Sequence, residues 1–190
     1  MAKLVMIIGP HAVGKMTVAN ALKKITGFCV ATNHDSLEVP NKIFGWGTDS
    51  FKELRDIMRK SIFDLSIKNN VDLIFTFIPD FNDERDIKYM NDLKCLYEKS
   101  GGEFYFVELE TSLEERIKRN VTEDRLREKP TKRNIERSQK EIVEAMSKYR
   151  MNSKSGEITY DNYLKINNEN LLPDDVAEII VKEFCFRRRV

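Results

Sequence analysis

Between Gly9 and Thr17 the chain reads Gly-Pro-His-Ala-Val-Gly-Lys-Met-Thr. An apolar run from Leu4 to Ile8 enters this stretch, and a segment with Val18, Ala21, Leu22 and Ile25 on one helical face leaves it. Strand, Gly-x-x-x-x-Gly-Lys and helix together have the spacing of a phosphate-binding loop. Gly9 and Gly14 let the backbone of His11, Ala12 and Val13 turn its N–H groups toward one anion. The helix N-terminus adds partial positive charge, and Lys15 supplies a mobile cation for the outer phosphates. The alternative is a plain glycine turn between a strand and a helix. Met16 occupies the position at which a Ser or Thr hydroxyl would ligate Mg²⁺, and Thr17, immediately after it, is the loop's other candidate ligand for that metal.

Other polar groups fall where an acceptor or metal could sit. Thr32-Asn33-His34-Asp35 follows a short apolar stretch, at the strand end where open α/β sheets bind ligands. His34 and Asp35 are the candidate acceptor-side bases, His34 having an ordinary pKa suited to proton transfer; a surface loop histidine is the other reading. Trp46 stands between Gly45 and Gly47, in a loop that either closes over an acceptor or is anchored by its one aromatic. Asp80 follows a nearly continuous apolar run, Val71 to Ile78, and is either a Mg²⁺-organising carboxylate or part of a polar loop starting a helix. Arg116 to Arg137 holds six arginines and three lysines, Arg119, Arg125 and Arg127 among them. A basic flap over a triphosphate and a solvated charged face are the two readings of that segment.

The elements that must position these groups follow from periodicity. Strands are expected at Lys3–Ile8, Phe28–Ala31, Val71–Ile78, Glu103–Leu109 and Tyr163–Ile166. Helices are expected from Gly14 to Thr26, Phe51 to Lys68, Asp83 to Ser100, from the capping spacing Thr111 to Glu114, from Asn134 to Arg150, and from Pro173. In the second helix Phe51, Leu54, Met58, Ile62 and Leu65 form the core stripe, which leaves Arg55 and Arg59 as solvated charges. The alternation gives one α/β domain over residues 1–190, a parallel sheet covered by helices on both faces. Net charge is +1, which argues against nucleic acid and anionic membranes as partners, and no apolar run has spanning length. The N-terminus enters a strand without a secretory signal, and Cys29, Cys95 and Cys185 are odd in number and far apart. They read as reduced core residues of a cytoplasmic protein.

With the loop at Gly9 to Thr17, the basic segment and the closing strand–Asn–helix unit, nearly the whole chain resembles the small P-loop kinases. These are the nucleoside-monophosphate, shikimate and gluconate kinase group, and the resemblance is closest to shikimate-kinase-like bacterial proteins. It implies a three-layer P-loop fold with a five-stranded parallel sheet and an Arg-rich lid at about 119–134. It implies ATP with Mg²⁺, and a γ-phosphoryl transfer to a small acceptor. Lys15 and the loop amides from Gly9 to Thr17 would hold the β- and γ-phosphates. Arg125 or Arg127 would cover the nucleotide, Arg119 would reach the phosphates, and Asn167 and Asn168 would lie beside the adenine. The Asp-x-Asp pair of shikimate kinases is replaced here by Thr32 and His34, and Phe77-Ile78-Pro79-Asp80 stands where their glycine-rich acceptor segment would be. A nucleotide-binding regulatory module with little or no turnover is the alternative, and Met16 favours it.

Overall fold

The computed structural model describes residues 1–121 and 135–189 of the 190. The elements run β1 (Lys3–Ile8), α1 (Lys15–Thr26), β2 (Cys29–Ala31), α2 (Asp35–Phe44), α3 (Asp49–Lys68) and β3 (Leu73–Phe77), then α4 (Glu84–Lys99) and β4 (Glu103–Glu110). After these come α5 (Leu113–Asn120), α6 (Ile135–Lys148), β5 (Tyr163–Asn167) and α7 (Pro173–Glu183). All pairings are parallel and the strand order is β2-β3-β1-β4-β5. The loop after β1 therefore leaves the middle of the sheet, at the ends of the strands where the order reverses.

The centre of the sheet is buried on both faces, which is why β1 reads as unbroken Leu-Val-Met-Ile-Ile. Alternation sends Val5 and Ile7 into one core layer with Leu22, Val176 and Ile180, and Leu4, Met6 and Ile8 into the other with Phe63, Phe75 and Tyr97. Phe63 meets Phe75 edge-on at 5.1 Å, and Tyr97 bonds Ser66 Oγ at 2.9 Å. Burial pushes the Tyr97 hydroxyl up to about 12.

The stretch from Asp35 to Phe44 is a helix, with Pro40 inside it, that the periodicity does not predict. Two expectations are overturned. In α3 the buried face carries Phe51, Arg59, Phe63 and Ser66, while Leu65 is 56% exposed. The helix is turned by about one residue from the expected stripe, so Arg59 is buried and not solvated. All three cysteines are exposed and free, so none is a core residue. Among the described residues no helix is long and apolar enough to cross a membrane.

Candidate functional site

The loop between β1 and α1 has its shape imposed by its neighbours. Gly9 has φ +138°, and a Cβ there would stand 2.4 Å from the Leu109 carbonyl oxygen of β4. No side chain fits in that space. Ala12 at φ +61° and Gly14 at φ +105° are the further left-handed turns that wrap the loop back on itself before α1 begins. Lys15 Nζ donates to the carbonyls of Gly9 at 2.6 Å and Pro10 at 2.7 Å, so the ammonium lies over the concave side of the loop.

Two side chains from elsewhere fix the outer edge. Asn168, 3% exposed and just past β5, donates from Nδ2 to the Val13 carbonyl at 2.8 Å. Arg119, in the last turn of α5, donates from Nη1 to that same carbonyl at 3.0 Å. Its Nη2 reaches the carbonyls of Asn168 at 2.8 Å and Glu169 at 3.1 Å, and its Nε bonds Glu115 at 2.8 Å. Arg119 thus clasps three segments that are distant in sequence. Asn167 turns the other way and accepts the Glu169 N–H at 3.0 Å.

The loop opens on a cleft of about 1880 Å³. His11, Ala12, Gly14, Lys15, Met16 and Thr17 form its floor. On the β5 side the wall is Arg119, Asn168 and the run to Asp174 at the start of α7; on the β2 side it is Thr32, Asn33, His34 and one face of α2, with Trp46 beyond. Trp46 is 70% exposed and its ring packs on Phe51 at 4.9 Å. The structure therefore brings Gly14, Lys15, Thr17, His34, Trp46, Arg119 and Asn168 to one cleft.

It does not bring Asp35 or Asp80 there. The Asp35 carboxylate accepts the Thr32 N–H at 2.6 Å and closes the turn that starts α2. Asp80 Oδ1 accepts the N–H groups of Asn82 and Arg150, both at 3.0 Å, joining the β3–α4 corner to the end of α6. Arg125 and Arg127, with most of the expected lid, lie outside the described residues.

Arg59 is the residue that sequence reasoning missed. It is 8% exposed, donates from Nε to Ser36 Oγ at 3.0 Å, and also bonds Asn33 Oδ1. Its guanidinium lies 5.5 to 6.0 Å from the rings of Phe75, Phe77 and Tyr89. Burial lowers its pKa, and burial raises that of Tyr89 beneath it. An arginine remains charged even so. Its position behind the β2–α2 turn makes it the prop of Asn33, a group on the cleft wall. The Phe63 and Ser66 positions one and two turns along α3 were the only sequence signal of that register.

The residues present fit the phosphates of a nucleotide: a cradle closed to any Cβ at Gly9, left-handed turns, and an ammonium over the concavity. For a metal the loop offers a single side-chain hydroxyl, that of Thr17 on the cleft floor. Met16 offers a thioether where a hard cation needs oxygen, and Asp80 is used elsewhere. Among the described residues no group of three His, Cys, Asp or Glu side chains is placed to hold a metal.

Neither a protein-family model nor a curated protein matches the chain. Solved structures do. A gluconokinase from Sinorhizobium meliloti 1021 matches with TM-score 0.58 and 13% identity, over 97% of this chain and 91% of that one. The Mycobacterium tuberculosis APS kinase, solved with AMPPNP and APS, matches with TM-score 0.57 and 14% identity, over 96% and 97%. Shikimate kinase from Acinetobacter baumannii, solved with shikimate, matches with TM-score 0.54 and 16% identity, over 96% and 92%. At these identities the likeness is one of fold: a five-stranded parallel sheet with flanking helices, the fold of the small P-loop kinases.

Proposed function

We propose that the protein is an ATP-dependent phosphotransferase acting on a small acceptor in the cytoplasm. The observation that carries this reading is the loop: Gly9 held against Leu109, left-handed turns at Ala12 and Gly14, and Lys15 Nζ over the Gly9 and Pro10 carbonyls at the floor of a wide cleft. The gluconate, APS and shikimate kinases of the same fold support it. Exposed free cysteines suit a reducing compartment.

ATP, when bound, supplies the transferable phosphoryl group. Lys15 leaves its two carbonyl partners and meets the outer phosphates, where the developing charge is greatest. The N–H groups of the loop and the start of α1 hold the remaining phosphate oxygens. Arg119 and Asn168 act one step away, keeping the Val13 end of the loop in its binding shape. His34 takes the proton of the acceptor hydroxyl, since Asp35 is committed to the turn before α2. Arg125 and Arg127 remain in this proposal the lid groups that complete the site on closing.

The test is Lys15→Ala, followed by labelled phosphoryl transfer and by calorimetry with AMPPNP. Transfer should fall by at least about a thousandfold with the far-UV spectrum and melting temperature unchanged. Transfer near the wild-type level would overturn the role of Lys15. A regulatory module that binds ATP without transferring it is the second reading, favoured by Met16. It predicts AMPPNP binding in the wild type with no transfer to any acceptor.

A further inference from the structure

The β2 side of the cleft has a composition that selects its ligand. Along α2, His34, Leu37, Glu38 and Asn41 fall at i, i+3, i+4 and i+7 and line the cleft together. Thr32, Asn33 and Thr76 add polar groups from the ends of β2 and β3, while Ile78 and Trp46 add apolar surface. Among the described residues this half of the wall holds one carboxylate, Glu38, and no lysine or arginine. The cations that do line the cleft stand elsewhere: on α1, on α5 and α6, and on the C-terminal segment at Arg189. Arg59, the nearest guanidinium behind this wall, is sealed under Asn33 and Ser36 against three rings and does not line the cleft.

Resting on the phosphotransferase reading, we infer that the acceptor is an uncharged hydroxyl compound bearing a flat apolar face, of the nucleoside or aryl-glycoside kind. An anionic acceptor would meet Glu38 with no opposing cation on that wall among the described residues, which like-charge repulsion penalises. Hydroxyls find amide and hydroxyl partners at Asn33, Asn41, Thr32 and Thr76. The apolar face finds Leu37, Ile78 and the exposed ring of Trp46, the kind of aromatic surface on which flat ligands stack. In the transfer the acceptor hydroxyl oxygen bonds to the γ-phosphorus as the bond from that phosphorus to the β,γ-bridging oxygen breaks. The hydroxyl proton passes to the imidazole of His34, and ADP leaves.

The test titrates matched pairs into the whole protein saturated with AMPPNP: uridine against its monophosphate, and phenyl β-glucoside against phenyl β-glucuronide. Each pair differs only in the anionic group. The uncharged member should bind at least about tenfold more tightly in either or both pairs. Glu38→Lys should shrink or reverse that preference. Trp46→Ala should weaken the uncharged member while leaving the ratio within a pair nearly constant. Equal or tighter binding of the anionic members overturns the inference, as does binding of no member while AMPPNP is bound. Failure of AMPPNP itself to bind falls on the phosphotransferase reading instead.

Discussion

The Val13 carbonyl is the point at which the loop is tied to the rest of the fold, and it has two donors, Asn168 Nδ2 at 2.8 Å and Arg119 Nη1 at 3.0 Å. Val13 itself is fully buried. Removing either donor leaves the carbonyl with the other, so neither single variant orphans it. For Asn168→Ala the loss is about 1 kcal/mol, the usual net value of a neutral bond. Arg119→Met keeps the stem and loses a charged donor with its bonds to Asn168, Glu169 and Glu115, about 2–3 kcal/mol. Removing both orphans a buried carbonyl, which costs a further 1–3 kcal/mol or about that much.

The double variant should therefore exceed the sum of the single ones by at least about 1 kcal/mol. Urea unfolding of the wild type and the three variants measures this directly, and calorimetry with AMPPNP should show the same excess in binding. Additivity within about 0.5 kcal/mol would refute the reasoning, because it would mean that the two donors do not share one acceptor. Asn168→Asp is a useful companion. Its carboxylate keeps the shape, turns an acceptor toward an acceptor, and should be worse than Asn168→Ala.

Three other expectations follow from single observations. Gly9→Ala must displace a Cβ that would lie 2.4 Å from Leu109 O, at a φ of +138°, so AMPPNP binding should be lost and the urea midpoint lowered; unchanged binding would show that the loop does not need this contact. Arg150 bonds Glu157 at 2.6 Å through Nη2 and, as the largest cause, holds that carboxyl down at about 2. A depressed folded pKa gives stability that is present above the usual value of 4.5 and lost as pH falls toward 2; Glu157→Gln should flatten the acid limb of thermal stability in that window. Because Met16 replaces a hydroxyl, AMPPNP affinity in calorimetry should change little between Mg²⁺ and chelator, and Met16→Ser should make it Mg²⁺-dependent; strong Mg²⁺ dependence in the wild type would point to another oxygen ligand, Thr17 being the loop's remaining hydroxyl.

Much of this molecule was legible because the relevant physics is local. Gly9, Gly14 and Lys15 announce the loop through conformational and charge requirements within one turn of chain. The central strands announce themselves because a strand buried on both faces has no polar positions to confuse the pattern. α2 was hidden for the converse reason. It packs mainly on α3 and leaves Val39, Ile43 and Phe44 exposed, so its apolar residues make no single buried stripe, and Pro40 contradicts the propensity rule. Thr32, Asn33, His34 and Trp46 of the proposed acceptor wall were read from sequence, but its part on the inner face of that helix, Leu37, Glu38 and Asn41, was lost with it.

Arg59 shows the limit more sharply. Residue type argued for solvent, and the stripe through Leu54, Met58 and Leu65 was as regular as the true one through Phe51, Arg59 and Phe63. What decided between them lies far away in sequence. Phe75, Phe77 and Tyr89 make an aromatic floor over which a guanidinium is stabilised, and Ser36 and Asn33 supply the acceptors that a buried arginine requires. Neither set is visible from α3 alone. The same long-range dependence holds for Asn168, whose partner is 155 positions away in the chain. A phosphate loop can be read from its own residues, but the groups that hold it in shape and the wall proposed to meet the acceptor are set by tertiary contacts.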